Sequence, residues 1–365
     1  ETQTHSLEYL KSKGLEHRRF YNKNMIVVYG ASLEQLDELA KLPEIESINS
    51  NAKYRFLAPV TKAQLTPTYS KGVEPGLDSV GASKVWQLGF NGNNIVVAGQ
   101  DTGIQWDHPA LKPNYRGTVG TAADHDYTWH DSIHANAGSS GNVCGYDLKV
   151  PCDDHGHGTH TIGTVAGDDG KGNQVGMAPK SKWIGCRNMD EGVGTPATYI
   201  ECFEFFLAPY KHGANPMTDG VPDKAPHVIN NSWGCPENEG CHGDEMLAIL
   251  NSMKKAGVIV VAAAGNEGPG CGSIGAPPAS HTDESIAVGA LDHRTGKIAY
   301  FSSRGPSAFD QKVGPDVSAP GVEIRSAIPG GKFSSSGWSG TSMASPHVAG
   351  AVALLLSAKP SLIGD

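Results

Sequence analysis

Asn94-Ile-Val-Val-Ala-Gly-Gln-Asp-Thr-Gly103 is a short apolar run that ends on a carboxylate and a glycine turn. A β-branched run of this length, bounded by turn residues, reads as a fully buried strand. Two more runs repeat the pattern: His227-Val-Ile229 leads into Asn231-Ser-Trp-Gly234, and Val258-Ile-Val-Val-Ala262 leads into Gly265-Asn-Glu-Gly268. Helical patterns alternate with them, which predicts an α/β domain with a mostly parallel sheet covered on both faces. In such sheets binding groups collect beyond the carboxyl ends of the strands. Asp101, Asn231 to Gly234 and Asn266 all fall at those ends.

Upstream, the first 57 residues read as a separate small α+β unit. Met25-Ile-Val-Val-Tyr29 predicts a strand, Ser32 with Gln35 a capping box, and Leu33, Leu36 and Leu39 a helix stopped by Pro43. Ile45 to Ile48 predicts a further extended segment. Residues 58–76 are rich in Pro, Thr, Lys and Gly without periodicity, as a linker or processing segment is. Residues 77–365 then form the larger domain, and 365 residues suffice for two cores.

Composition excludes several function classes. Acidic residues outnumber basic ones by 38 to 29, and no block of Lys or Arg forms a phosphate-binding stripe, so nucleic acid is not an expected partner. No uninterrupted apolar run reaches the roughly 18 to 20 residues that span a bilayer; Val348 to Leu356 is the longest candidate and reads as a core helix. The chain opens at Glu1 without a basic and apolar leader. Of seven cysteines, Cys144/Cys152 and Cys235/Cys241 lie close in sequence within loops, a spacing that suits disulfides in an oxidising compartment, and at least one thiol stays unpaired. Free thiols in a cytosolic protein are the alternative.

Four polar positions could carry chemistry. Asp101 is placed to be buried and fixed on the sheet. An aspartic protease would need a second such carboxylate, and the chain has no second Asp-Thr-Gly or Asp-Ser-Gly. His155-Gly-His157-Gly-Thr-His160 enters a helix; zinc-protease helices carry a Glu beside the first His, which is missing here, so His157 reads as a general base and His155 and His160 as structural. Ser342, in Gly340-Thr-Ser-Met-Ala-Ser-Pro-His-Val-Ala-Gly350, starts another helix, where a backbone N–H and the positive dipole end face an incipient oxyanion. The side-chain amide of Asn266 offers the second donor.

The order Asp, His, Ser on an α/β frame, with the local sequences Asp101-Thr-Gly103, His157-Gly-Thr-His160, Asn231-Ser-Trp-Gly234, Ala262-Ala-Ala-Gly-Asn266 and Gly340 to His347, resembles the subtilisin-like serine proteases, and within them the bacillopeptidase F-like group. The resemblance implies a subtilisin-like three-layer domain, a triad of Asp101, His157 and Ser342 assisted by Asn266, and secretion. It implies that the first unit is a ferredoxin-like inhibitory propeptide, autoprocessed within residues 57–76, and that the protein is a monomer acting on protein or peptide substrates. Gly192-Val193-Gly194 matches the edge that pairs with substrate backbone. Ser232-Trp233-Gly234 and Ala263-Ala264-Gly265 match the walls of the P1 pocket, and Gly275-Ala-Pro277 its base, with Ala276–Pro277 expected cis. Family members continue past the serine helix, so the chain is expected to lack a C-terminal segment.

The chemistry needs no cofactor. A structural calcium is an open expectation at Asp168-Asp-Gly-Lys-Gly-Asn173, where Lys171 and the glycines favour a solvated turn instead, and no metal ligand is assigned. Smooth apolar walls predict a preference for Leu, Phe, Tyr or Met at P1, with Trp233 adding apolar surface and Glu267 at the mouth favouring Lys or Arg over Asp or Glu. A catalytically silent, protease-like binding protein is the competing function.

Overall fold

The computed structural model describes residues 3–55, 72–138, 141–236, 241 and 246–364. An eight-stranded sheet runs in the order Lys297–Ile298, Ile286–Asp292, Ile259–Ala263, Val228–Asn231, Val96–Asp101, Lys182–Arg187 and Trp129–Asp131, with Val317–Pro320 also paired to Ile286–Asp292. All pairings are parallel except that of Lys297–Ile298. Val96–Asp101 lies between a strand that follows on one side, Lys182–Arg187, and the later strands on the other. Its carboxyl end is therefore the crevice where an open α/β sheet places its ligand.

Alternation along the strands sorts the two cores. Val97, Val228, Val261 and Val288 face the helices His157–Ala166 and Thr341–Ala358. Ala98, Ile184, Ile229 and Val260 face Pro196–Leu207 and Leu247–Lys255. This period of two, covered on both sides, is the three-layer arrangement the sequence predicts. Gly99 lets the histidine helix lie flat on the sheet, since a Cβ there would come within 2.6 Å of Ile162 Cδ1. The helix containing Val348 to Leu356 proves longer than that run, at 18 residues, which reaches the length of a membrane span; two thirds of it is buried inside the domain.

The first unit is α+β among the described residues. Helices Thr4–Ser12 and Leu33–Leu39 flank an antiparallel ribbon of His17–Arg19 with Ile26–Val28. The Ser32/Gln35 capping box forms as predicted. Ile45 to Ile48 is not a strand; the extended pairing comes later, where Tyr54–Arg55 runs antiparallel to Val193–Gly194. Residues 56–71, most of the predicted linker, lie outside the described residues. The unit docks on the Pro196–Leu207 helix. Phe20 and Val27 pack against Ala197 and Ile200, Arg18 reaches Glu201 at 2.6 Å, and the Asn22 N–H donates to Glu204 at 2.6 Å.

Both predicted disulfides are present, Cys144–Cys152 and Cys235–Cys241. A third, Cys186–Cys202, joins the Lys182–Arg187 strand to the Pro196–Leu207 helix. Cys271 is the exposed free thiol among the described residues.

Candidate active site

Asp101 ends its strand and His157 starts its helix, both fully buried. His157 Nδ1 lies 2.8 and 2.9 Å from the two Asp101 carboxylate oxygens, a geometry that fixes the ring and turns Nε2 away from Asp101. The Thr102 N–H donates 2.7 Å to Asp101. Gly158 makes the approach feasible, because a Cβ there would collide with the Gly103 carbonyl. The loop before the helix is set by Asp153, which accepts from Thr102 Oγ1, the His155, Gly156 and Thr159 N–H groups, and Thr159 Oγ1. A carboxylate at a helix start also complements the dipole.

His160 does not join a zinc set with His155 and His157. Its Nε2 lies 3.1 Å from the Ile324 carbonyl and its ring stacks on Trp338 with centroids 4.4 Å apart. Burial, and the neighbouring His157, push its pKa down to about 3, so the imidazole is neutral and adds no charge beside His157. The calcium candidate also fails a fit test. Asp168 accepts from the Gly170 N–H, and Asp169 from the Lys171 and Asn173 N–H groups and Asn173 Nδ2. These carboxylates face the loop's own donors, and no cluster suited to a metal occurs among the described residues.

The serine helix packs on the histidine helix. Ser342 sits in its first turn, with Oγ donating 2.9 Å to the Ser232 carbonyl while Ser232 Oγ donates 2.9 Å to the Ser342 carbonyl. Asn230 ties Ser232 to the serine helix: its Nδ2 donates to Ser232 Oγ at 2.9 Å and its Oδ1 accepts from Ser345 Oγ at 2.7 Å. Asn266 is oriented by the residue before the nucleophile. Its Oδ1 accepts from the Thr341 N–H at 2.9 Å and from Thr341 Oγ1 at 3.0 Å, which leaves Nδ2 as its donor to the cleft. Thr341, Asn230, Ser345 and Trp338 escape a sequence reading. Only the polar residues flanking Ser342 hint at them.

Beside this centre, Gly192, Val193 and Gly194 are buried, and Val193–Gly194 pairs antiparallel with Tyr54–Arg55. Ala263, Ala264 and Gly265 lie at the end of the Ile259–Ala263 strand. Gly234 faces Ala276 and Pro277, whose carbonyl accepts from the Cys235 N–H at 2.9 Å. The Glu267 carboxylate lies over Gly265, held by Ser303 Oγ at 2.8 Å. Two expectations need correction. The Trp233 indole turns inward and stacks on Tyr199 at 4.2 Å, with 3% of the residue exposed, because the apolar helix Pro196–Leu207 buries it; it adds no open pocket surface. The cis peptide in this turn is Pro277–Pro278, one residue beyond Ala276–Pro277.

Comparison with known proteins agrees with this architecture. Residues 92–364 match the model of the subtilase family. The chain is 38% identical over 384 aligned positions to bacillopeptidase F of Bacillus subtilis (strain 168), an alignment covering 100% of this chain and 25% of that protein. It is 32% identical to subtilisin E of the same organism, covering 84% of this chain and 66% of the relative, and 29% identical to the alkaline protease of Alkalihalobacillus alcalophilus, covering 94% and 81%. The chain thus spans a quarter of the length of bacillopeptidase F. With the sheet order, the sequence motifs and a family match over most of its length in agreement, this chain belongs to the subtilase family.

Proposed function

We propose that the protein is a secreted serine endopeptidase made as a proenzyme. The observation that carries this reading is the buried Asp101–His157 pair beside a helix start that holds Ser342 and an Asn266 amide oriented by Thr341. His157 Nε2 takes the Ser342 proton as Oγ bonds to the peptide carbonyl carbon. It then gives that proton to the leaving nitrogen as the C–N bond breaks, and Asp101 holds the required tautomer throughout. Water, deprotonated by the same imidazole, frees the acid product from the acyl-enzyme. Asn266 Nδ2 and the Ser342 N–H stabilise the oxyanion.

Substrate backbone adds as a strand to Gly192–Gly194, and a bulky apolar P1 residue enters between Ser232–Gly234 and Ala263–Gly265. The Glu267 carboxylate over Gly265 supports tolerance of Lys or Arg there. The antiparallel pairing of Tyr54–Arg55 with Val193–Gly194 supports the reading of the first unit as an intramolecular inhibitor whose exit segment occupies the cleft, with maturation within residues 57–76. Three disulfides support an oxidising, extracellular setting.

A labelled fluorophosphonate tests the core of this proposal. Covalent labelling that is lost in Ser342→Ala is expected. A wild-type protein that neither labels nor cleaves peptides would be a silent relative, and the proposal would fall.

A further inference from the structure

Arg187 is a fully buried charge that the proposed chemistry does not use. It ends the Lys182–Arg187 strand, in register with Asp101 on one side and Asp131 on the other, and its side chain has no exposure. Nη1 donates to the Gly145 carbonyl at 2.8 Å and to Asp131 Oδ2 at 3.5 Å. Nη2 donates to Asp154 Oδ2 at 2.5 Å and to Asp190 Oδ1 at 3.4 Å. One guanidinium thus serves three buried carboxylates, and its Nε has no partner among the described residues.

Stability alone does not account for such a cluster, since apolar replacements of buried ion networks are often neutral or stabilising. What the cluster joins is more informative. Asp154 lies in the loop before His157, and its Oδ1 accepts from the Glu191 N–H at 3.0 Å. Asp190 opens the substrate edge, exchanging backbone hydrogen bonds with Val193, while its Oδ2 accepts from the Ala137 N–H. The histidine loop is fixed independently by Asp153 and Asp101. The edge depends far more on Asp154 and Asp190, and through them on Arg187.

We propose that Arg187 is a positioning residue that, through Asp154 and Asp190, clamps the Gly192–Gly194 edge to the histidine loop and thereby sets how tightly extended peptides bind. The inference rests on the protease reading above. Extended substrates pair with this edge, whereas a single-residue ester does not reach it. Loss of the clamp therefore raises KM for long substrates and spares short ones.

Charge adds a second signature. Burial raises the Asp154 pKa to about 7 against the opposing pull of Arg187, with Asp153 and Asp190 raising it further, and burial likewise raises Asp131, which faces Arg187 and His130. Asp154 is anionic above that value and neutral below it, so the Arg187 contact weakens as pH falls through about 7.

The test uses Arg187→Lys, Arg187→Met and Asp154→Asn in the full chain, matured with a trace of wild-type protein and with active sites counted by fluorophosphonate. Asp154→Asn keeps an acceptor for the Glu191 N–H, so it interrupts the clamp even if the arginine variants fail to fold. Per labelled site, the kcat/KM ratio of a tetrapeptide amide to an N-acetyl amino-acid ester should fall about tenfold, mainly through KM, the size of one charge-assisted hydrogen bond. Wild-type KM for the tetrapeptide should rise as pH drops from 8 to 6, and that rise should be absent in Asp154→Asn. An unchanged ratio in Asp154→Asn, or equal losses on both substrates, overturns the proposal. Absence of labelling in wild type removes the protease reading and this inference with it.

Discussion

Asn266 stands in the cleft with its amide already turned, because Thr341 occupies its oxygen twice. Its Nδ2 is worth most when charge develops on the carbonyl oxygen. Asn266→Leu should therefore lower kcat with little change in KM; a fall of about 10²–10³ is the value known for this donor in subtilisin itself and is carried over from it. Steady-state kinetics on a peptide amide decide the matter, and a rise in KM alone would assign Asn266 to binding. Thr341→Val keeps the N–H contact and loses the hydroxyl, so kcat should fall about fivefold, in line with one neutral hydrogen bond of about 1 kcal/mol. Asp101, His157, Ser342 and Asn266 stand out in the sequence because each lies at the junction of an apolar run or helix with a glycine turn. Thr341 and Ser345 do not, since their partners lie 75 and 115 residues away in the chain. Trp233 was misread for a related reason: the apolar helix face that buries its ring is set by tertiary packing.

The Pro196–Leu207 helix carries the molecule's less visible work. Its inner face bears Cys202, and the bond to Cys186 ties helix to sheet across 16 residues. Two cysteines on different elements reveal such a pairing only once the helix is laid on the sheet, whereas the two loop pairs were readable from spacing. Replacing both by Ala should lower unfolding free energy by about 3 kcal/mol, the loop-closure expectation for this length, measured by denaturant titration on a Ser342→Ala background to prevent self-digestion. The outer face bears Glu204, whose pKa burial raises to about 7, assisted by Glu201 and opposed by hydrogen bonds from residues 21 and 22. A carboxyl raised on folding stabilises the fold while protonated. That contribution is complete below about pH 4.3 and is lost as pH rises through about 7. Glu204→Gln on the same background should flatten this slope, gaining on the parent by about 1–3 kcal/mol between pH 5 and 8, which thermal melts at the two pH values would reveal. Parallel slopes would show that Glu204 does not titrate in this interval.

Across the whole molecule, the loss of periodicity after Ala58 predicts a division between the first unit and the larger domain, but nothing in the sequence marks the face on which the unit docks. That face is set by Phe20 and Val27 meeting Ala197 and Ile200, and by Arg18 on Glu201. Burial favours protonation of Glu201, yet hydrogen bonds from His130 and His134 outweigh it and hold its pKa down to about 2, so Arg18 meets a full carboxylate. Phe20→Ala in the separately made first unit should weaken inhibition of the mature enzyme at least about thirtyfold, since truncating a buried Phe costs about 3–5 kcal/mol and only part of that falls on the interface. Inhibition constants for the two versions would show it, and equal values would place the contact outside the inhibitory face. On the proposed proenzyme reading, the Tyr54–Arg55 pairing bears on activation as well. While the backbone is continuous, that strand is presented to Val193–Gly194 at an effective concentration in the millimolar range, and no ordinary substrate competes with it. A single cut turns a tethered occupant into a dissociable one, whose hold then depends on total protein. Freshly cleaved material should accordingly gain specific activity on simple dilution, before any further proteolysis of the released unit.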